Sequence, residues 1–140
     1  MNSENAISKF VDLQNMALKE YSVIEKSSSL QNIDFFLNAF IREHNEILNN
    51  IRRGLKSPHV PKKIDHMGAT HHLQESNKID FNSIQSVLLH ICKVEESILE
   101  EEKSLLESSR NDMLEGYVAW QEQIYEDAET LYHRFVEMTV

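Results

Sequence analysis

Apolar residues recur at three- and four-residue steps through four separate stretches of this chain, the spacing that gathers side chains on one face of a helix. In the first stretch they are Ile7, Phe10, Val11, Leu18, Tyr21 and Ile24. In the second they are Ile33, Phe36, Leu37, Phe40, Ile41, Ile47, Leu48 and Ile51. Ile84, Val87, Leu88, Ile91, Val94, Ile98 and Leu105 form the third stripe, and Leu114, Tyr117, Trp120, Ile124, Ala128, Leu131, Phe135 and Met138 the fourth. The pattern predicts helices near 4–26, 32–56, 81–108 and 111–138. Ser27–Ser29 break the first from the second, and Ser108–Asn111 the third from the fourth. Asn32 or Asp34 is placed to cap the second helix, and Asp80 or Asn82 the third. No stretch alternates apolar and polar residues as a half-buried strand would.

Each predicted helix is roughly 35–42 Å long at 1.5 Å per residue. Similar lengths with short first and third connections predict two antiparallel hairpins. The middle connection, 57–80, is long enough to run the length of a bundle. The expectation is an all-α four-helix bundle in which a long crossover joins two hairpins, residues 1–140 forming one domain. A simple up-and-down bundle with an extended loop has the same spacing.

The helix stripes leave five polar residues facing inward, where a core should be apolar. They are Gln14 between Val11 and Leu18, His44 between Ile41 and Leu48, Glu95 and Glu102 on the third stripe, and Gln121 beside Trp120 and Ile124. In antiparallel hairpins Gln14 is level with His44, and Glu95 with Gln121, so the group converges near mid-bundle. Two readings compete. One is a metal site between helices, with His44 and Glu95 as ligands. The other is a hydrogen-bonded network in which amides, imidazole and carboxylates satisfy one another. A di-metal centre wants four carboxylates and two histidines. The stripes supply one histidine and one or two carboxylates, which favours the network.

The chain resembles rubrerythrin-like members of the ferritin-like family over nearly all its length except 57–80. In that family a metal-binding Glu on the first helix is followed by a small residue and then a Tyr; here Gln14, Ala17 and Tyr21 stand in that pattern. The second family helix carries Glu-x-x-His, matched by Ile41 and His44. Glu95 matches the ligand of the third, with Ile98 and Glu102 at the later positions. The fourth should repeat Glu-x-x-His, and either Thr130 with His133 or Glu129 with Tyr132 aligns there. His133 shares a polar face with Glu126 and Glu137. The resemblance implies oxidase, peroxidase or iron-storage chemistry. The replacements at Gln14 and Ile41 imply a degenerate member without a working di-iron centre. No cofactor is then expected; iron, manganese or zinc are the metals an atypical site would take.

Charge narrows the partners. The net charge is −9. Residues 1–80 balance ten Lys/Arg against ten Asp/Glu, whereas 81–140 hold four against thirteen. Nucleic acid and anionic membrane need clustered basic residues and are not expected. Acidic faces fit cations, a basic protein partner, or solubility alone. The single cysteine, Cys92, excludes a disulfide within one chain and points to a reducing compartment such as the cytoplasm. No apolar run is long enough to span a membrane.

His59, His66, His71 and His72 crowd the crossover, and His66, His71 and His72 are candidates for a surface metal site. Their spacing fits no zinc-finger pattern, and a solvated loop is the simpler reading. Phe35 and Tyr132 are candidates for a dimer interface. No phosphate loop or nucleophile elbow occurs. Three functions fit: a non-catalytic ferritin-like bundle that binds a partner or dimerises, a metal-binding or redox member with an atypical site, and an acidic helical adaptor or secretion chaperone.

Overall fold

The computed structural model describes residues 3–27, 33–54 and 81–138. Four helices make up these residues: α1 (Ser3–Ser27), α2 (Ile33–Arg52), α3 (Phe81–Ser108) and α4 (Asp112–Met138). The chain is an all-α four-helix bundle. Its boundaries follow local chemistry. The Asn111 side chain accepts from the backbone N–H of Met113 at 2.9 Å, capping α4. Asp112 and Glu115 place negative charge on the first turn of that helix. The second helix stops at Arg52, short of the 56 expected from periodicity. Gly54 takes a positive φ of 67° there, and its N–H donates to the Ile51 carbonyl at 2.9 Å. A left-handed glycine just past the last turn satisfies carbonyls that the helix leaves open.

Cross-helix pairs fix the directions. Tyr21 meets Phe40, and Gln14 meets His44, so α2 runs antiparallel to α1. Gln14 meets Glu102, and Tyr21 meets Glu95, so α3 also opposes α1. Phe10 meets Tyr117 and Gln14 meets Gln121, so α4 runs with α1. Two helices antiparallel to a third are parallel to each other, and α2 and α3 are therefore parallel. Gly54 and Phe81 lie at opposite ends of the bundle, so the connection between them joins one end to the other. This is the expected arrangement of two hairpins and a crossover. The crossover itself, 57–80, with His59, His66, His71 and His72, lies outside the described residues.

The apolar core runs through all four helices, with Phe10, Tyr21, Phe36, Phe40, Tyr117 and Phe135 the bulkiest buried side chains. On α1 the buried line is Ala6, Phe10, Leu13, Gln14, Ala17 and Tyr21. Val11 and Leu18, expected inside, are only half-buried. The inward face of α1 is thus turned toward Leu13 and away from Leu18.

The halves echo each other. Gln14 and Tyr21 on α1 correspond to Glu95 and Glu102 on α3 at one constant spacing. Phe40, Glu43, His44 and Ile47 on α2 correspond to Tyr117, Trp120, Gln121 and Ile124 on α4 at another. The contacts respect this relation: Gln14 bonds Glu102 as Tyr21 bonds Glu95, and Glu43 bonds its own counterpart, Trp120.

Candidate functional site

All five inward polar residues, Gln14, His44, Glu95, Glu102 and Gln121, are fully buried. The helix directions bring them together over about two turns near mid-bundle, where each helix contributes at least one. Amides orient the cluster. The Gln14 Nε2 donates to Glu102 Oε1 at 2.6 Å and to Gln121 Oε1 at 3.0 Å. With both hydrogens of that amide engaged, its oxygen faces His44 Nδ1 at 2.5 Å. The Gln121 amide accepts from Gln14 and donates from Nε2 to Glu95 Oε1 at 2.5 Å.

Glu95 is the hub. Tyr21 donates its hydroxyl to Glu95 Oε2, Gln121 donates to Oε1, and His44 Nε2 lies 2.8 Å from Oε2. Gln14 presents its oxygen to Nδ1, so His44 donates there, and one proton is shared between His44 Nε2 and Glu95 Oε2. His44 and Glu95 thus form a buried hydrogen-bonded pair, roofed by the Tyr21 hydroxyl. Burial, and then the charge of Glu95, push the Tyr21 phenol well above its ordinary range, so it stays a donor.

Glu102 is the exception. Its Oε1 accepts from Gln14, but its buried Oε2 has no hydrogen-bond partner. Burial, and then the nearby Glu95, raise its carboxyl well above the usual carboxylate range; the Gln14 bond opposes this only in part. Its surroundings therefore favour the neutral acid.

A second polar pair borders the cluster. The Trp120 indole donates to Glu43 Oε2 at 2.8 Å across the α2–α4 seam. Burial raises the Glu43 carboxyl, the Trp120 bond lowers it, and Glu46 and Asp127 raise it further. Trp120 also stacks on Tyr117 with ring centroids 6.4 Å apart. The stripes gave no sign of Glu43 or Asp127, both buried. A signal for Glu43 was present in Trp120, since a buried indole N–H requires an acceptor.

The other candidates lie elsewhere. His133 is 66% exposed on α4, 3.9 Å from Glu129, so neither fourth-helix alignment with the family reaches the cluster. The position level with His44 is filled by Gln121. Ile41 is half-buried one turn before His44, and its α4 counterpart is the buried Val118. Phe35 is 44% exposed and Tyr132 half-buried. His66, His71 and His72 lie outside the described residues.

These donors do not fit a di-metal centre. Two carboxylates and one imidazole fall short of the family's set, and both ring nitrogens of His44 already face protein acceptors. Among the described residues, no three His, Cys, Asp or Glu side chains are grouped to hold a metal ion. Nor is any helix among them long and apolar enough to cross a membrane. No protein-family model matches this chain, and no curated protein or solved structure does either.

Proposed function

We propose that this chain is a degenerate ferritin-like bundle, similar to rubrerythrin-like proteins, in which a hydrogen-bonded polar core stands where the family holds two metals. It acts by binding a protein partner or a second copy of itself. The observation that carries this reading is the engagement of His44 between Gln14 and Glu95. The one imidazole in the cluster has no free nitrogen for a metal, and neutral Gln14 and apolar Ile41 stand where the family has charged oxygen donors. The partner's chemistry follows from the outer faces of α3 and α4, where Glu96, Glu100, Glu101, Glu122 and Glu126 are exposed. Such a face suits a partner rich in Lys and Arg, and its binding weakens with salt.

Two measurements test the proposal. Elemental analysis after chelator-free purification is expected to find no stoichiometric iron or manganese; two metals per chain would overturn the degenerate reading. Sedimentation with and without a lysine-rich peptide, across ionic strength, is expected to show self-association or salt-sensitive binding. A strict monomer indifferent to the peptide removes the binding half. Descent from a metal-binding ancestor is tested separately by combining Gln14→Glu with Ile41→Glu. Two added carboxylates beside His44 and Glu95 are expected to create manganese binding.

A further inference from the structure

Met16 and Val23 stand seven residues apart on one line of the outer face of α1, and they are 51% and 56% exposed. Beside Met16 that face deepens into a groove against α3. Leu13, Met16 and Leu105 form its apolar floor, and Lys9, Asp12 and Glu101 stand on its rim. We propose that this α1–α3 groove is the contact of a symmetric dimer, in which Met16 meets the same residue of a second copy and Lys9 of each copy meets Glu101 of the other. The inference rests on the binding role proposed above and assigns its self-association to one face.

Charge selects the occupant. The chain carries −9 overall, and the exposed Glu96, Glu100, Glu122 and Glu126 make two copies repel along α3 and α4. On α2 the exposed Arg42 and Arg52 do likewise. The first helix differs: its exposed Lys9, Lys19 and Lys26 nearly offset Glu4, Asp12, Glu20 and Glu25. A second copy therefore approaches with least repulsion along α1, the helix that also exposes two large apolar side chains.

The positions fit a two-fold axis. The Gln14–Glu102 and Tyr21–Glu95 bonds set the register of α1 against α3. Glu101 is nearly level with Met16, and Lys9 lies about 9 Å further along on the opposite wall. A two-fold lying in the plane of the face, at right angles to the Lys9–Glu101 diagonal and through its midpoint, makes both charge pairs at once. That axis runs past Met16 and Leu105, so apolar side chains meet at the centre of a self-complementary contact. Methionine adapts readily to such a contact. From Lys9 to Val23 the face is about 21 Å long and two helices wide, which suits a weak dimer rather than an obligate one.

Lys9→Glu and Glu101→Lys test the axis. Alone, each variant sets like charges together twice. Each is expected to dimerise about tenfold more weakly than wild type in sedimentation equilibrium from about 10 µM to about 1 mM. Mixed in equal amounts, they regain both opposite-charge contacts and are expected to form a heterodimer as tight as the wild-type dimer. Overall charge alone places the mixture between its parents; only charges that meet across the axis place it above both. Met16→Glu is expected to abolish association. Oxidative footprinting of the wild type needs no variant, and Met16 is expected to become protected as the dimer forms. A mixture no tighter than its tighter parent overturns the proposed axis. A dimer indifferent to Met16→Glu, or one that leaves Met16 reactive, overturns this face while leaving self-association intact. A monomer at about 1 mM that still binds the lysine-rich peptide overturns the dimer and leaves the binding role to that partner. A monomer that ignores the peptide removes both.

Discussion

Removing the hub carboxylate gives the sharpest measure of the polar core. Glu95→Ala strips the acceptor from three buried donors at once: the Tyr21 hydroxyl, the Gln121 amide and His44 Nε2. Each unsatisfied buried donor costs about 1–3 kcal/mol, and more where the group is charged. For three such donors the expected loss is roughly 4–6 kcal/mol, out of a total of about 5–15 kcal/mol for a typical domain. Glu95→Gln retains one acceptor oxygen and should lose roughly half as much. Chemical denaturation followed by circular dichroism measures both. A double-mutant cycle with His44→Ala isolates the pair: the coupling is expected to reach about 1.5–3 kcal/mol, the upper part of the range for residues in contact. If Glu95→Ala lies within about 1 kcal/mol of wild type, or if the two substitutions are additive, the hydrogen-bonded core centred on Glu95 is wrong.

Three further outcomes are expected. Burial, followed by the charges of Glu129 and Glu95, pushes the Cys92 thiol up to about 12. The folded protein should therefore react with a thiol reagent at pH 8 on the order of a thousandfold more slowly than the urea-unfolded chain, since the thiolate is the reactive form. Trp120→Phe deletes the indole donor to Glu43 and should destabilise the bundle by about 1–3 kcal/mol in a urea titration, with Glu43→Gln partly restoring it. Gly54→Ala meets no atoms within 4 Å but forces a side chain onto a positive φ, and should lower stability by about 1 kcal/mol through backbone strain alone.

Much of this arrangement was legible in the chain. Gln14, His44, Glu95, Glu102 and Gln121 stood out because a polar residue at the centre of an apolar stripe must be satisfied inside. Their meeting followed from helix length and turn position. Tyr21 stands both on the apolar stripe and in the family's first-helix pattern, and only the fold shows its hydroxyl on Glu95. Glu43 was hidden because it precedes His44, and adjacent helical residues point about 100° apart. Its burial depends on how closely α2 approaches α4, which one helix's periodicity does not encode. The periodicity alone carries α2 to 56, whereas Gly54, a stop signal in its own right, ends it at Arg52.

The convergence of all four helices on one hydrogen-bonded cluster also bears on the order of folding. The α1–α2 and α3–α4 hairpins close through short turns and local contacts, the inexpensive events in loop entropy. The Gln14–Glu102, Tyr21–Glu95 and Trp120–Glu43 bonds each join one hairpin to the other across a long stretch of chain. They can form only after the hairpins dock, and an amide or carboxylate gives up water only when every partner is in place. The cluster should therefore be largely unformed in the folding transition state. Substitutions at Gln14, Glu95 or Gln121 should speed unfolding while leaving the folding rate nearly unchanged, giving φ-values near zero in stopped-flow chevrons. The polar core would then set the lifetime of the folded bundle more than the ease of reaching it, and wear at this one cluster would shorten that lifetime first.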